Sequence, residues 1–178
     1  MKTIPIDLTK STLSWQAYKP GGSHTGSIQF KTGNILLDDE NMPKGGDFCF
    51  DMTTIVDNDQ KDKLKDMLET HLKSDDFFDV EKYPEAFFTI TKTDHTPDAD
   101  GFYAAVGELD IKGIKGEVSF KAKYEIIDKT IHIQTNTIVV DRTKWNINYG
   151  SKNFFKKLTE HIIADNFDVK VEIFVNLV

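Results

Sequence analysis

The 178-residue sequence predicts an all-β fold, a single antiparallel up-and-down barrel of about eight strands with one or two short helices. Three observations carry this. Segment after segment alternates apolar with polar residues, the period of a strand that buries one face. Glycine-rich punctuation separates these segments at hairpin-like intervals. No linker, internal repeat or low-complexity tract divides the chain, so residues 1–178 read as one domain.

Leu13-Ser-Trp15-Gln-Ala17 opens the pattern and Pro20-Gly21-Gly22 breaks it. After Ser23-His24-Thr25-Gly26, the alternation resumes in Ile28-Gln-Phe30-Lys31, and Thr32-Gly33-Asn34 reads as a turn into Ile35-Leu36-Leu37. Pro43–Gly46 reads as a loop before Phe48-Cys49-Phe50-Asp51-Met52, whose even positions are apolar. A helix follows, with Asn58 or Asp59 as its expected cap. Leu64, Met67, Leu68, His71 and Leu72 fall at i, i+3, i+4, i+7 and i+8, one face of a 3.6-residue period, so this helix should lie on a surface.

Ser74, Asp75 and Asp76 end the helix because their side chains compete for backbone hydrogen bonds. Tyr83-Pro84 then forces an extended or turn conformation. Phe77, Phe78, Phe87 and Phe88 hold too much apolar area for water, so this connector should be clamped onto a core. Phe102–Ile111 reads as a strand in which Gly107 marks a bulge or bend, and Gly113 and Gly116 mark the next turn. Val118, Phe120, Ala122, Tyr124 and Ile126 alternate with polar residues without exception; Asp128-Lys129 turns the chain, and Ile131–Val140 returns. Phe154, Phe155, Leu158, Ile162 and His161 suggest a second helix between Tyr149 and Ala164. Phe167, Val169, Val171, Ile173, Val175 and Leu177 form a last alternating strand, with Phe174 the one apolar residue on its polar side.

With 39% hydrophobic and 29% charged residues, the composition is that of an ordered globular protein. The net charge of −7 repels nucleic acid and anionic membranes, and no cluster of Lys and Arg with interleaved aromatics offsets it. Nucleic acid is therefore not an expected partner. The lone Cys49 excludes an internal disulfide framework and reads as a small strand residue. Met1–Leu8 lacks the apolar core of a signal peptide, and no apolar run approaches the ~20 residues that span a bilayer; the expected compartment is the cytoplasm.

Catalytic and metal motifs are absent. There is no G-x-S-x-G elbow, and nothing singles out an acid/base pair among the aspartates and glutamates. His24, His71, His95, His132 and His161 are scattered without an HxxxH or HxH pair, so no metal or other cofactor is expected. The glycines around His24 lack phosphate-loop spacing. His24 itself reads either as a turn cap or as a ligand contact at a barrel mouth. Arg142 is the one arginine in the chain, which points to a position that needs a planar, multi-donor fork. A salt bridge that locks the strand end and a contact to a ligand head group are both open for it. The alternating strands direct Trp15, Ile28, Phe30, Phe48, Phe50, Phe88, Ile90, Phe120 and Tyr124 to a shared interior. An eight-stranded barrel is wide enough either to be packed by such residues or to hold one small ligand.

The stretch Leu72-Lys-Ser-Asp-Asp-Phe-Phe-Asp-Val-Glu-Lys-Tyr-Pro-Glu-Ala-Phe-Phe88 resembles the signature of the YceI family, also called the polyisoprenoid-binding family. His24-Thr25-Gly26, Gly107-Glu-Leu-Asp-Ile-Lys-Gly113, and Asp141-Arg142-Thr143 with Tyr149-Gly150-Ser151 resemble further family elements in the family's order. The resemblance implies a lipocalin-like barrel that holds a long-chain isoprenoid or fatty amphiphile, its tail in the centre and its polar end near a mouth, without catalysis. On this reading the ligand would meet Trp15, Phe30, Phe48, Phe50, Phe88, Ile90, Phe120 and Tyr124 along the tail, with His24 and Arg142 as polar-end contacts and Trp145 as a further ligand contact. A homodimer is compatible with it. Many members of the family are exported, and the N-terminus departs from that pattern. The rival readings are an enzyme acting on an amphiphile through His24, Asp141 or Arg142, and a fully packed interaction module with no cavity.

Overall fold

The computed structural model describes residues 1–177. Its strands are β1 (Lys2–Pro5), β2 (Thr12–Lys19), β3 (Gly22–Leu37), β4 (Pro43–Asp57), β5 (Glu85–Thr93), β6 (Tyr103–Ile111), β7 (Ile114–Ile127), β8 (Thr130–Thr135), β9 (Ile138–Asp141) and β10 (Asn166–Asn176). One α-helix, α1 (Asp62–Lys73), follows β4, and a 3₁₀ turn spans Arg142–Trp145. All strand pairs are antiparallel. The circuit runs β3–β2–β10–β8–β7–β6–β5–β4 and closes through β4 against β3. β1 continues the β2 edge along the far half of β3, and β9 continues β8 along β10. The result is the closed eight-strand barrel that the alternation predicts, and closure removes the exposed edges an open sheet would leave.

β-Bulges keep the apolar residues inside. Along β3 the inward positions are Ile28 and Phe30 and then Ile35 and Leu37, a change of parity absorbed by a register shift at Phe30/Thr32. The expected turn at Thr32-Gly33-Asn34 is therefore a bulge within one long strand. Pro43–Gly46 likewise begins β4 rather than looping out, and the connection is residues 38–42. A larger irregularity in β4 follows Asp51, whose carboxylate accepts from the N–H and hydroxyl of Thr53. The expected bulge at Gly107 lies instead on the partner strand, between Ile90 and Lys92. Gly107 has a different reason: a Cβ there would stand 2.1 Å from Phe88 Cζ, so the missing side chain makes room for the tip of that ring. On the outer face, Phe174 is covered by the His132 ring, stacked at 4.3 Å.

The two ends of the barrel differ. At one, the connections are residues 38–42, residues 94–102 and the Asp128-Lys129 turn. The other is plugged by α1, residues 74–84 and residues 142–165. No side chain caps α1; its N-cap is Lys61, because Asp59 is engaged elsewhere. Of the predicted apolar face, Leu72 packs on the core while Leu64 and Met67 stay exposed. Phe77 is buried against the touching rings of His71 and Tyr149, with centroids 4.9 and 5.6 Å away, Phe78 packs beside it, and Phe87 faces outward, half exposed. The helix expected between Tyr149 and Ala164 does not form; the segment is a string of turns with Phe154 and Phe155 exposed. Its far end is held from inside by Arg142, which donates to the Ile163 and Ala164 carbonyls.

Candidate functional site

The inward alternation leaves the barrel hollow. A cavity of about 220 Å³ runs along its interior, against the ~10–15 Å³ that one water needs. Its wall is almost wholly carbon. Phe30, Phe48 and Phe50 form one side, with Phe30 centred 6.0 Å from Phe48 and 5.1 Å from Phe50. Phe88, paired with Phe48 across β4 and β5, and Phe120, 5.7 Å from Phe88, extend this aromatic wall, and Trp15, Ile28 and Ile90 also line the cavity. Small residues at inward positions, Ala86, Ala105 and Ala122, leave the space open where larger side chains would fill it.

Among the described residues, the exposed members of the wall are Asp94 and Lys123, which places the opening at the end bounded by residues 38–42 and 94–102. Tyr103 and Tyr124 stand there with ring centroids 5.7 Å apart. Burial pushes the Tyr124 hydroxyl above its ordinary pKa, and Tyr103, Asp38 and Glu40 add to the shift, so it stays protonated. Tyr103, Thr93, Asp94 and Lys123 do not stand out in the sequence. Position was the available signal: Tyr103 starts the inward parity of β6. The wall also contains the Trp15 indole N–H, which is buried without a hydrogen-bond partner.

Arg142 borders the plugged end, 4% exposed, and each of its three nitrogens donates to a backbone carbonyl. Nε donates to Ala164 O at 2.9 Å, one terminal nitrogen to Ile147 O at 2.7 Å and the other to Ile163 O at 3.0 Å. Asp165 lies 3.8 Å away. Burial lowers the guanidinium pKa while Asp165 and Asp141 oppose the shift. The single arginine thus ties together a segment that has no secondary structure of its own. Trp145 lies outside the cavity wall: fully buried, it packs on Gly116 and donates its indole N–H to Leu109 O at 3.0 Å. Asp141 caps the 3₁₀ turn, accepting from the N–H and hydroxyl of Thr143.

His24 is also outside the cavity wall. It lies within β3 rather than in a turn, with Nδ1 3.0 Å from Asp59 Oδ2. Asp59 also accepts from Thr25 N–H at 2.7 Å, and the buried Asp57 carboxylate accepts from Asp59 N–H and Gln60. His24, Asp57 and Asp59 therefore meet in space although their sequence spacing carries no metal motif. Their hydrogen bonds are directed at one another and at the loop, which makes the group a staple between β3 and the approach to α1. Burial would raise the Asp59 carboxyl, but the Thr25, His24 and Asp57 interactions outweigh it and hold the pKa at about 2. A depressed folded-state value contributes stability that is present above the ordinary carboxylate range and lost as pH falls through about 2. Thermal melts between pH 4 and pH 2 should show a steady fall in Tm, and Asp59→Asn should flatten that slope.

Comparison with known proteins places these features in a context. Residues 5–175 match the YceI-like domain family. A UPF0312 protein of Vibrio campbellii is 27% identical over 114 residues, which are 58% of this chain and 59% of that protein. The crystal structure of BcnA from Burkholderia cenocepacia superposes with a TM-score of 0.74 at 20% identity, covering 95% of this chain and 98% of that one. A polyisoprenoid binding domain from Saccharophagus degradans superposes with a TM-score of 0.67 at 15% identity, covering 98% of each chain. At these identities, the structural matches speak for a shared fold.

Proposed function

Because the chain belongs to the YceI-like domain family, we propose that it carries or stores a long-chain isoprenoid or similar amphiphile in its barrel without transforming it. The observation that carries this reading is the hollow, carbon-lined interior with an opening at one end. A fully packed module would have no such space. Burial of apolar surface, worth about 25 cal/mol per Å², would supply most of the affinity, with each methylene adding roughly 0.8 kcal/mol. The Saccharophagus degradans domain, described as polyisoprenoid binding, lends support through its shared fold.

A carrier rather than an enzyme fits the placement of the polar groups. His24 and Asp141, two of the three residues that an enzyme of this kind would use, lie outside the cavity wall, and Arg142 spends its donors on backbone carbonyls. No helix among the described residues is long and apolar enough to cross a membrane. Mass spectrometry of an organic-solvent extract of the purified protein, set against a denatured control, tests the reading. A stoichiometric long-chain lipid is the expected result. A blank extract, followed by no thermal stabilisation on adding long isoprenoids, would exclude it.

A further inference from the structure

We infer that the barrel takes an amphiphile whose polar end is uncharged, an alcohol or a carbonyl, in preference to one that ends in a phosphate or diphosphate. The inference rests on the carrier reading above and concerns the chemistry of the ligand's head.

A phosphorylated head needs cations or a crowd of N–H donors to replace its water. Three wall residues carry a full charge, and only one could serve. Arg142 lies at the plugged end with its fork occupied by the carbonyls of Ile147, Ile163 and Ala164. Asp94 is itself an anion at the opening. That leaves Lys123, whose ammonium lies over the Phe102 ring, 5.3 Å from its centroid.

The surroundings of the opening add to the mismatch. The first connection there holds Asp38, Asp39 and Glu40, the second holds Asp94, Asp98 and Asp100, and the third is Asp128 beside Lys129. Three of the nearby cations are already paired, while Lys123 and Lys129 are unpaired among the described residues. Lys44 lies 3.3 Å from Asp38, Lys121 lies 2.7 Å from Asp98, and the N-terminal ammonium lies 3.3 Å from Asp39. Glu40, Asp94, Asp100 and Asp128 have no cation within ion-pair distance among the described residues and outnumber the unpaired Lys123 and Lys129, so an anionic head would meet net repulsion. The other polar groups at the opening are neutral hydroxyls: Thr93, Tyr103 and Tyr124, the last held protonated by its surroundings. Such groups suit an uncharged oxygen, which can accept or donate one or two hydrogen bonds without a counter-ion.

Matched pairs of equal tail length isolate the head group. Geranylgeraniol and geranylgeranyl diphosphate should be titrated into lipid-stripped protein and followed by Trp fluorescence and thermal shift, with EDTA and again with millimolar Mg²⁺. The alcohol should bind at least ~10-fold more tightly in both buffers. The gap should narrow several-fold at high salt, where the exposed carboxylates are screened, and in the Glu40→Gln, Asp94→Asn double variant. Equal binding, or tighter diphosphate binding with or without Mg²⁺, overturns the inference and leaves the carrier reading standing. Binding of neither compound, at this or a longer tail length, removes the carrier reading and the inference with it.

Discussion

Tryptophan in place of Ala105 is expected to empty the barrel of ligand while leaving the fold in place. Ala105 lies on β6, is buried, and faces the cavity two residues before Gly107. In a filled core, a change of this size costs about 1–3 kcal/mol through forced rotamers and backbone shifts. Here the indole would enter space that is already open, so the expected cost is under about 1 kcal/mol, or roughly 2–4 °C in Tm for a chain of this length. Ligand affinity should fall at least tenfold, about 1.4 kcal/mol, because the indole and the tail compete for one volume. Comparing the lipid extracted from the variant and the parent, alongside their melting curves, checks both halves. A variant that melts far lower would mean that the interior has no room, and one that still co-purifies with lipid would place the ligand elsewhere.

Arg142→Met should destabilise the fold far more than Ala105→Trp. It removes the donors to three carbonyls and leaves Asp165 without its guanidinium partner. Removing one member of a buried charged network typically costs 3–5 kcal/mol, which corresponds to a fall in Tm of roughly 6–20 °C. Arg142→Lys should recover little, since one ammonium cannot reproduce a planar fork that serves Ile147, Ile163 and Ala164 together. Proteolysis should first cut within residues 148–163 in the Met variant, where backbone turns lose their anchor. If Tm were unchanged and ligand affinity alone fell, Arg142 would be a head-group contact and not a clamp.

Much of the fold was legible because a half-buried strand has no freedom in its pattern. The exceptionless alternation from Val118 to Ile126 became β7, that from Phe167 to Val175, broken only at Phe174, became β10, and the hydrophobic periodicity of residues 64–72 became α1. The errors share a cause. Thr32-Gly33-Asn34 and Pro43–Gly46 contain turn residues, yet both became strand, because cross-strand pairing between β3 and β4 overrides local turn preference. Phe154, Phe155, Leu158 and Ile162 have helical spacing, yet no helix forms, and the end of the segment gives the Ile163 and Ala164 carbonyls to Arg142. Asp59 has the chemistry of a helix cap, but Thr25 and His24, 34 and 35 residues away in the chain, hold it first.

The candidate site divides along the same line. The amino-acid sequence by itself determined which side chains face inward, since a period of two assigns Phe30, Phe48, Phe50, Phe88 and Phe120 to one side of the sheet whatever lies across from them. It could not determine whether those side chains meet. That depends on strand number and stagger around the closed circuit, and on which small residues fall opposite which large ones, quantities set by pairings between positions far apart in the chain. Only the tertiary structure decided that Ala86, Ala105 and Ala122 leave the aromatic wall facing open space, that the opening lies beside Asp94 and Lys123, and that Arg142 serves the protein's own backbone. A cavity is a property of the distances between elements, and no local pattern encodes it.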